Sequence, residues 1–145
     1  MNSQIPGKIR IVREFGELPM VECLAGKINQ VFMNIINNAI HALSDHIDEI
    51  KDPHITIRTV ANAEETVTVE IEDNGPGMPD NVKERIFEPF FTTKAVGKGT
   101  GLGLSIVYSI IENHKGTLEV KSKQGEGTTF IITLPVYQST QKYEQ

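Results

Sequence analysis

Residues 73–104 read DNGPGMPDNVKERIFEPFFTTKAVGKGTGLGL, and this stretch decides the fold. It opens with a carboxylate, Asp73, at the end of an alternating strand pattern, and it contains two glycine-rich loops. Glycine-rich loops that lead into a helix leave backbone amides free to approach a nucleotide. The stretch does not contain the GxxxxGK[ST] phosphate loop. The sequence therefore predicts a nucleotide-binding site on a fold that does not use this phosphate loop.

The composition limits the class of protein. The chain has 145 residues, of which 39% are hydrophobic and 23% charged, and its formal net charge is −5. We expect a single domain over residues 1–145, with a core from about residue 8 to 136 and a polar tail over 138–145. The apolar runs are short, a signal peptide is not visible, and the single Cys23 excludes an internal disulfide. A cytoplasmic domain is expected, and the absence of a basic excess argues against nucleic-acid binding.

Hydrophobic periodicity predicts the element order strand, helix, hairpin, glycine loops, helix, hairpin. Such an order indicates an α+β domain, a two-layer sandwich in which one mixed sheet of about five strands carries about three helices on one face. The predicted helices cover residues 24–47, 79–86 and 101–113, and the predicted strands are 8–15 and two hairpins, one starting at Asp52-Pro53 and one turning at Gln124-Gly125.

Strand parity points Asp73 into the protein. The preceding residues alternate apolar and polar from Val67 onward, and Asp73 continues the apolar, inward set. An inward carboxylate is costly unless a donor reaches it. The exocyclic amine of adenine is such a donor, whereas the guanine oxygen at that place would be repelled. Gly75 and Gly77 would let the base lie against the backbone, and the alternative interpretation is a plain Asn-Gly hairpin turn.

A polar stripe marks the first long helix. Asn34, Asn38 and His41 share one helix face, opposite a broad apolar arc. Carboxamide oxygens are suitable ligands for Mg²⁺, which keeps most of its waters and takes few protein oxygens. The alternative is a solvated helix face, which becomes the weaker interpretation beside two glycine loops.

The loop GKGTGLGL leads directly into the second long helix. Gly99, Gly101 and Gly103 would expose free amides at the positive end of the helix dipole, where phosphate is attracted. The alternative is a flexible linker, but apolar periodicity begins at once after Gly101. Lys94 could reach a terminal phosphate or could be a solvated lysine. Thr128 shares inward parity with the closing hairpin's apolar residues and could hold a water against adenine.

Five segments in order resemble the boxes of sensor histidine kinases. The resemblance runs from about residue 8 to 136, and it is nearest to the nitrogen-regulation-type branch, with a short lid and the sequence FFTTK. QVFMNIINNAIHAL (30–43) resembles the N box, DNGPGMP (73–79) the G1 box, IFEPFFTTK (86–94) the F box, GKGTGLGL (97–104) the G2 box and GEGTTF (125–130) the last glycine box.

The resemblance implies the Bergerat ATP-binding fold with Mg-ATP as its ligand. It places Asn38 on the magnesium with Asn34 beside it, and it places Asp73 on the adenine amine. His41 stands where many relatives carry a basic residue near phosphate. The residues that the resemblance further implies are Gly75 and Gly77 for the base pocket, and Gly99, Thr100, Gly101, Leu102 and Gly103 for the phosphates.

The family's phosphoacceptor, a histidine followed by an acidic residue, is not visible in this sequence. In SDHIDEI, His46 is followed by Ile47. The resemblance therefore implies the catalytic half of a kinase, which transfers the γ-phosphate of ATP to a histidine on a separate acceptor and dimerisation domain, and indirectly serves a response regulator. We expect the isolated piece to be a monomer.

Two other functions stay open at this point. The ATP-hydrolysing relatives of the same superfold carry a glutamate where Asn34 stands, and a carboxamide cannot take a proton from water. This difference disfavours an ATP-hydrolysing module. A non-catalytic nucleotide-sensing domain is the third possibility, and the complete glycine boxes argue against it.

Overall fold

Five strands form one mixed sheet. The computed structural model describes residues 9–89, 91 and 103–138 of the chain. The strands are β1 (Arg10–Phe15), β2 (His54–Ala61), β3 (Thr66–Asp73), β4 (Thr117–Lys123) and β5 (Gly127–Pro135). The sheet order is β1-β2-β3-β5-β4, with β1 parallel to β2 and the other neighbours antiparallel. The expected α+β architecture, a five-strand mixed sheet with helices on one face, is confirmed.

The helices are α1 (Ala25–Ser44), α2 (Asp80–Lys83) and α3 (Gly103–Asn113), and a short 3₁₀ turn covers Ile47–Glu49. α1 ends three residues before the predicted limit, because the chain tightens where the His46 amide bonds to the Leu43 carbonyl. α2 is much shorter than predicted, since turns replace the helix after Lys83. The predicted start of α3 at residue 101 lies outside the described residues. No helix in the described part of the chain is long and apolar enough to cross a membrane.

The core lies between the helices and the inward face of the sheet. The inward parity predicted for Asp73 is confirmed, because buried residues alternate along β3 up to and including Asp73. The opposite face is polar at its centre, where Arg58 bonds to Glu14 and Glu70 and pairs with Glu72. The buried side chains of the helices are Ile28, Val31, Ile35, Ala39 and Leu43 on α1, and Val107, Ile110 and Ile111 on α3.

Two contacts set how α1 and α3 lie against each other. At one end, the Leu24 amide donates to Nε2 of the buried His114, just after α3. Nδ1 of His114 faces the Ile110 carbonyl at 2.8 Å, so a neutral ring protonated on Nδ1 satisfies both contacts. Further along, the middle of α1 meets the start of α3 at Gly103. The two helices are therefore antiparallel, and the start of α3 faces the polar stripe of α1.

Candidate functional site

Asp73 lies buried at the end of β3 with its carboxylate held by backbone amides. The residue is 6% exposed. Oδ1 accepts a hydrogen bond from the Gly75 amide at 2.8 Å, and the Thr128 amide also donates to the carboxylate. Burial raises the pKa of Asp73 to about 6, against the opposing effect of the two amides. An ionised carboxylate has about four acceptor positions, so it can accept a further donor from a ligand.

The raised pKa predicts a pH dependence of folding stability. The native state holds the Asp73 proton more tightly than the unfolded chain, so this contribution is full below about pH 4 and is lost as the pH rises through about 6. Relative to wild type, Asp73→Asn should gain about 2 kcal/mol in the free energy of unfolding between pH 4 and pH 7. Urea titrations at successive pH values measure the gain. The exposed-carboxylate variant Asp80→Asn is the control, and a wild type-to-variant difference that stays constant from pH 4 to 7 contradicts the assignment.

Gly77 seats the loop after β3 on the β4–β5 hairpin. Its φ of 71° is in the left-handed region, and a Cβ there would overlap the Lys123 carbonyl. The Gly125 amide donates to the Pro76 carbonyl at 2.6 Å, which joins the loop to the hairpin turn. The glycine predicted at this place is therefore required by a close backbone approach.

Gly75 lies where the same loop passes α1. A Cβ on Gly75 would be 2.9 Å from Oδ1 of Asp73 and 3.6 Å from side-chain atoms of Ala42 and Leu43. The missing side chain therefore leaves the Asp73 carboxylate unobstructed. The loop, the end of β3 and the second half of α1 meet around this carboxylate, as the predicted base pocket requires.

The polar stripe of α1 reaches the start of α3 through Asn34. Nδ2 of Asn34 donates to the Gly103 carbonyl at 3.2 Å. Asn38, one turn further along, is half-buried, and its side chain has no hydrogen-bond partner among the described residues. His41, the third member of the stripe, is exposed. The stripe is thus brought beside the first described residue of the glycine loop.

The donor set around Asn38 fits magnesium better than a transition metal. Within residues 9–89, 91 and 103–138, no group of three or more His, Cys, Asp and Glu side chains could hold a metal ion. A single carboxamide oxygen suits Mg²⁺, which is usually bound by few protein oxygens together with water and substrate phosphates. The residues present are therefore compatible with magnesium that arrives with a nucleotide.

Thr128 lies opposite Asp73 in the β3–β5 ladder, and its predicted inward orientation is confirmed by its burial. Its Oγ1 is 2.9 Å from Oγ of Ser122 on β4. Sequence reasoning missed Ser122. The signal was available, because Leu118, Val120 and Ser122 share one parity in β4, but a serine in an apolar alternation carries little weight without its partners.

The phosphate side of the predicted site lies largely outside the described residues. Gly103 is the one predicted glycine of that loop that the structure describes, at the start of α3. The predicted residues that fall outside are Lys94, Gly99, Thr100, Gly101 and Leu102.

Comparisons with known proteins agree with this geometry. A family model described as histidine kinase-, DNA gyrase B-, and HSP90-like ATPase matches residues 24–138. Sporulation kinase E of Bacillus subtilis (strain 168) is 39% identical over 126 residues, which cover 87% of this chain and 16% of that protein. The chain therefore spans a small part of the length of such relatives.

Solved structures show the same fold. The nucleotide-free catalytic domain of histidine kinase ThkA has a TM-score of 0.72 and 35% identity, covering 88% of this chain and 79% of that one. A full-length structure of ShkA in complex with AMPPNP has a TM-score of 0.77 and 25% identity, covering 92% of this chain and 27% of ShkA.

Proposed function

The chain belongs to the histidine kinase-, DNA gyrase B- and HSP90-like ATPases as the catalytic, ATP-binding domain of a histidine kinase, and from this premise we propose how it uses the nucleotide. It transfers the γ-phosphate of Mg-ATP to a histidine on a separate domain of the same parent protein. Transfer of this kind depends mainly on positioning and charge neutralisation. The parent's activity belongs to this proposal, because the chain covers only 16% of sporulation kinase E.

The contact between Asn34 and Gly103 carries the proposal. A general base must accept a proton from the attacking water, but the Asn34 side chain donates through Nδ2 to the Gly103 carbonyl. A glutamate at position 34 would direct a carboxylate at the Gly103 carbonyl, and these two groups would repel each other because both only accept hydrogen bonds. Asn34 therefore supplies no general base at this position, which supports transfer of the γ-phosphate to another acceptor over ATP hydrolysis.

In this proposal, the Asp73 carboxylate accepts a hydrogen bond from the exocyclic amine of adenine. The carboxylate is fixed by the Gly75 amide and buried, so it can accept a donor but repels a carbonyl. Gly75 leaves room for the base beside the carboxylate, and Gly77 contributes by holding the loop against the β4–β5 hairpin. The AMPPNP bound in ShkA supports a nucleotide in the corresponding fold.

Asn38 holds magnesium in this proposal, with Asn34 beside it and His41 at the phosphate end of the stripe. Bound magnesium supplies charge neutralisation for the phosphates. Lys94 and the segment from Gly99 to Leu102 are proposed to complete the phosphate site together with Gly103. Thr128 is proposed to hold a water at the base.

The partners follow from what the relatives contain beyond this domain. ShkA and sporulation kinase E are several times longer than the chain. We propose a phosphoacceptor and dimerisation domain as the direct partner, a response regulator as the indirect one, a cytoplasmic location and a monomeric state for the isolated domain. The short lid and FFTTK favour the nitrogen-regulation-type branch within the family.

A phosphotransfer assay tests the proposed reaction. The chain, mixed with a separately produced histidine acceptor domain and ATP labelled on the γ-phosphate, should label the acceptor and release little free phosphate when alone. Asn38→Ala is the matched control and should lose the labelling. Rapid phosphate release by the isolated chain would indicate a hydrolase, and ATP binding without transfer to any acceptor tried would indicate a sensing domain.

A further inference from the structure

Ser122 joins three segments near Asp73. It lies on β4 and is 8% exposed. Its Oγ is 2.9 Å from the Met78 amide, 3.1 Å from the Gly127 carbonyl and 2.9 Å from Oγ1 of Thr128. One buried hydroxyl therefore contacts the loop after β3, the hairpin turn and the residue opposite Asp73.

Counting protons assigns a direction to each of these contacts. A serine hydroxyl has one proton and two lone pairs. The Met78 amide can only donate and the Gly127 carbonyl can only accept, so Ser122 accepts from the first and donates its proton to the second. Its remaining lone pair faces Thr128. All three contacts are hydrogen bonds only if the Thr128 hydroxyl donates to Ser122.

This direction decides what Thr128 can offer to a ligand. With its proton committed to Ser122, the Thr128 oxygen presents only lone pairs elsewhere. The ionised Asp73 carboxylate, opposite Thr128 in the ladder, also only accepts. This wall of the pocket therefore suits a base, or a water, that donates, and it opposes a base that presents a carbonyl.

We propose that Ser122 is a positioning residue for base selectivity: by taking the Thr128 proton, it keeps the Thr128 hydroxyl an acceptor and thereby favours adenine, which carries an amine at C6, over guanine, which carries a carbonyl there. The inference rests on the proposed nucleotide site at Asp73. Replacing Ser122 by alanine frees the Thr128 proton, which can then be donated to the carbonyl of a guanine base. The same change removes the acceptor of the Met78 amide.

The test compares two nucleotides by calorimetry on the full chain, using ATP and GTP with magnesium. Ser122→Ala should lower the ratio of ATP affinity to GTP affinity roughly tenfold, the value of about one hydrogen bond. Ser122→Thr, which keeps a hydroxyl, should restore most of the ratio. Thr117→Ala removes an exposed hydroxyl from the same strand and should leave the ratio unchanged. If Ser122→Ala does not fold, Ser122→Cys, a weaker hydrogen-bonding group, should still lower the ratio.

A double-mutant cycle separates this role from a structural one. In a Thr128→Ala background, Ser122→Ala should no longer change the ratio, because the proton it releases is gone. If Ser122→Ala lowers the affinities for ATP and GTP equally, then the Ser122 side chain only holds the loop in place, and the inference is wrong. An unchanged ratio in the wild-type background also overturns it. The proposed site itself fails in a different way, if wild-type ATP binding is insensitive to Asp73→Asn.

Discussion

Replacing Asp73 by asparagine is expected to weaken ATP binding roughly a hundredfold while the chain stays folded. The carboxylate accepts from the Gly75 and Thr128 amides, and an adenine amine would be a further donor to it. Asparagine has one oxygen in place of two, so when that oxygen accepts from the backbone amides, its own NH₂ group faces the adenine amine. Loss of the charge-assisted hydrogen bond to the base, with two donors facing each other in the complex, costs about 3 kcal/mol, which corresponds to the stated loss.

Calorimetry with ATP measures this loss, and urea unfolding shows that the variant is folded. Asn74→Ala is not a suitable control, because Oδ1 of Asn74 accepts from the His54 amide and holds the neighbouring turn. Asp80→Asn is suitable, since it removes a carboxylate from the same region at an exposed position. Equal ATP affinity of wild type and Asp73→Asn would remove Asp73 from the base pocket.

Replacing Asn38 by alanine should abolish the gain in nucleotide affinity that Mg²⁺ confers. The Asn38 carboxamide is half-buried on α1, one turn beyond the Asn34 side chain that bonds to Gly103. Loss of a residue that merely supports a metal ligand typically costs about 10- to 100-fold in metal affinity, and loss of the ligand itself should cost at least as much. Titrations of ATP with and without Mg²⁺ should differ strongly for wild type and coincide for Asn38→Ala.

Asn37→Ala provides the matched control for this experiment. Asn37 is the adjacent residue on α1 and is exposed, outside the polar stripe. Its replacement should preserve the Mg²⁺ effect. Asn38→Asp should also lose the effect if the neutral carboxamide is required near the phosphates. A Mg²⁺-dependent gain that survives in Asn38→Ala would show that the metal is held elsewhere.

The limits of prediction are visible at particular residues. The predicted helix 24–47 extends three residues beyond the end of α1, because the chain forms a separate 3₁₀ turn at Ile47–Glu49. The predicted helix 79–86 is longer than α2, because turns follow Lys83 and Ile86 is buried within them. Helix ends depend on which tertiary contacts compete with the last intrahelical bonds, and periodicity does not contain that information.

Local pattern was sufficient for the sheet-and-helix architecture and for the inward orientation of Asp73, because the two-residue period of a strand needs only near neighbours. The tertiary structure alone decided the direction of the hydrogen bonds. The Asn34 side chain donates because folding brings it to the Gly103 carbonyl, 69 positions away. The Ser122 hydroxyl accepts because folding brings it to the Met78 amide, 44 positions away. A carboxamide or a hydroxyl can donate or accept, and only the partners brought to it by folding select which one it does.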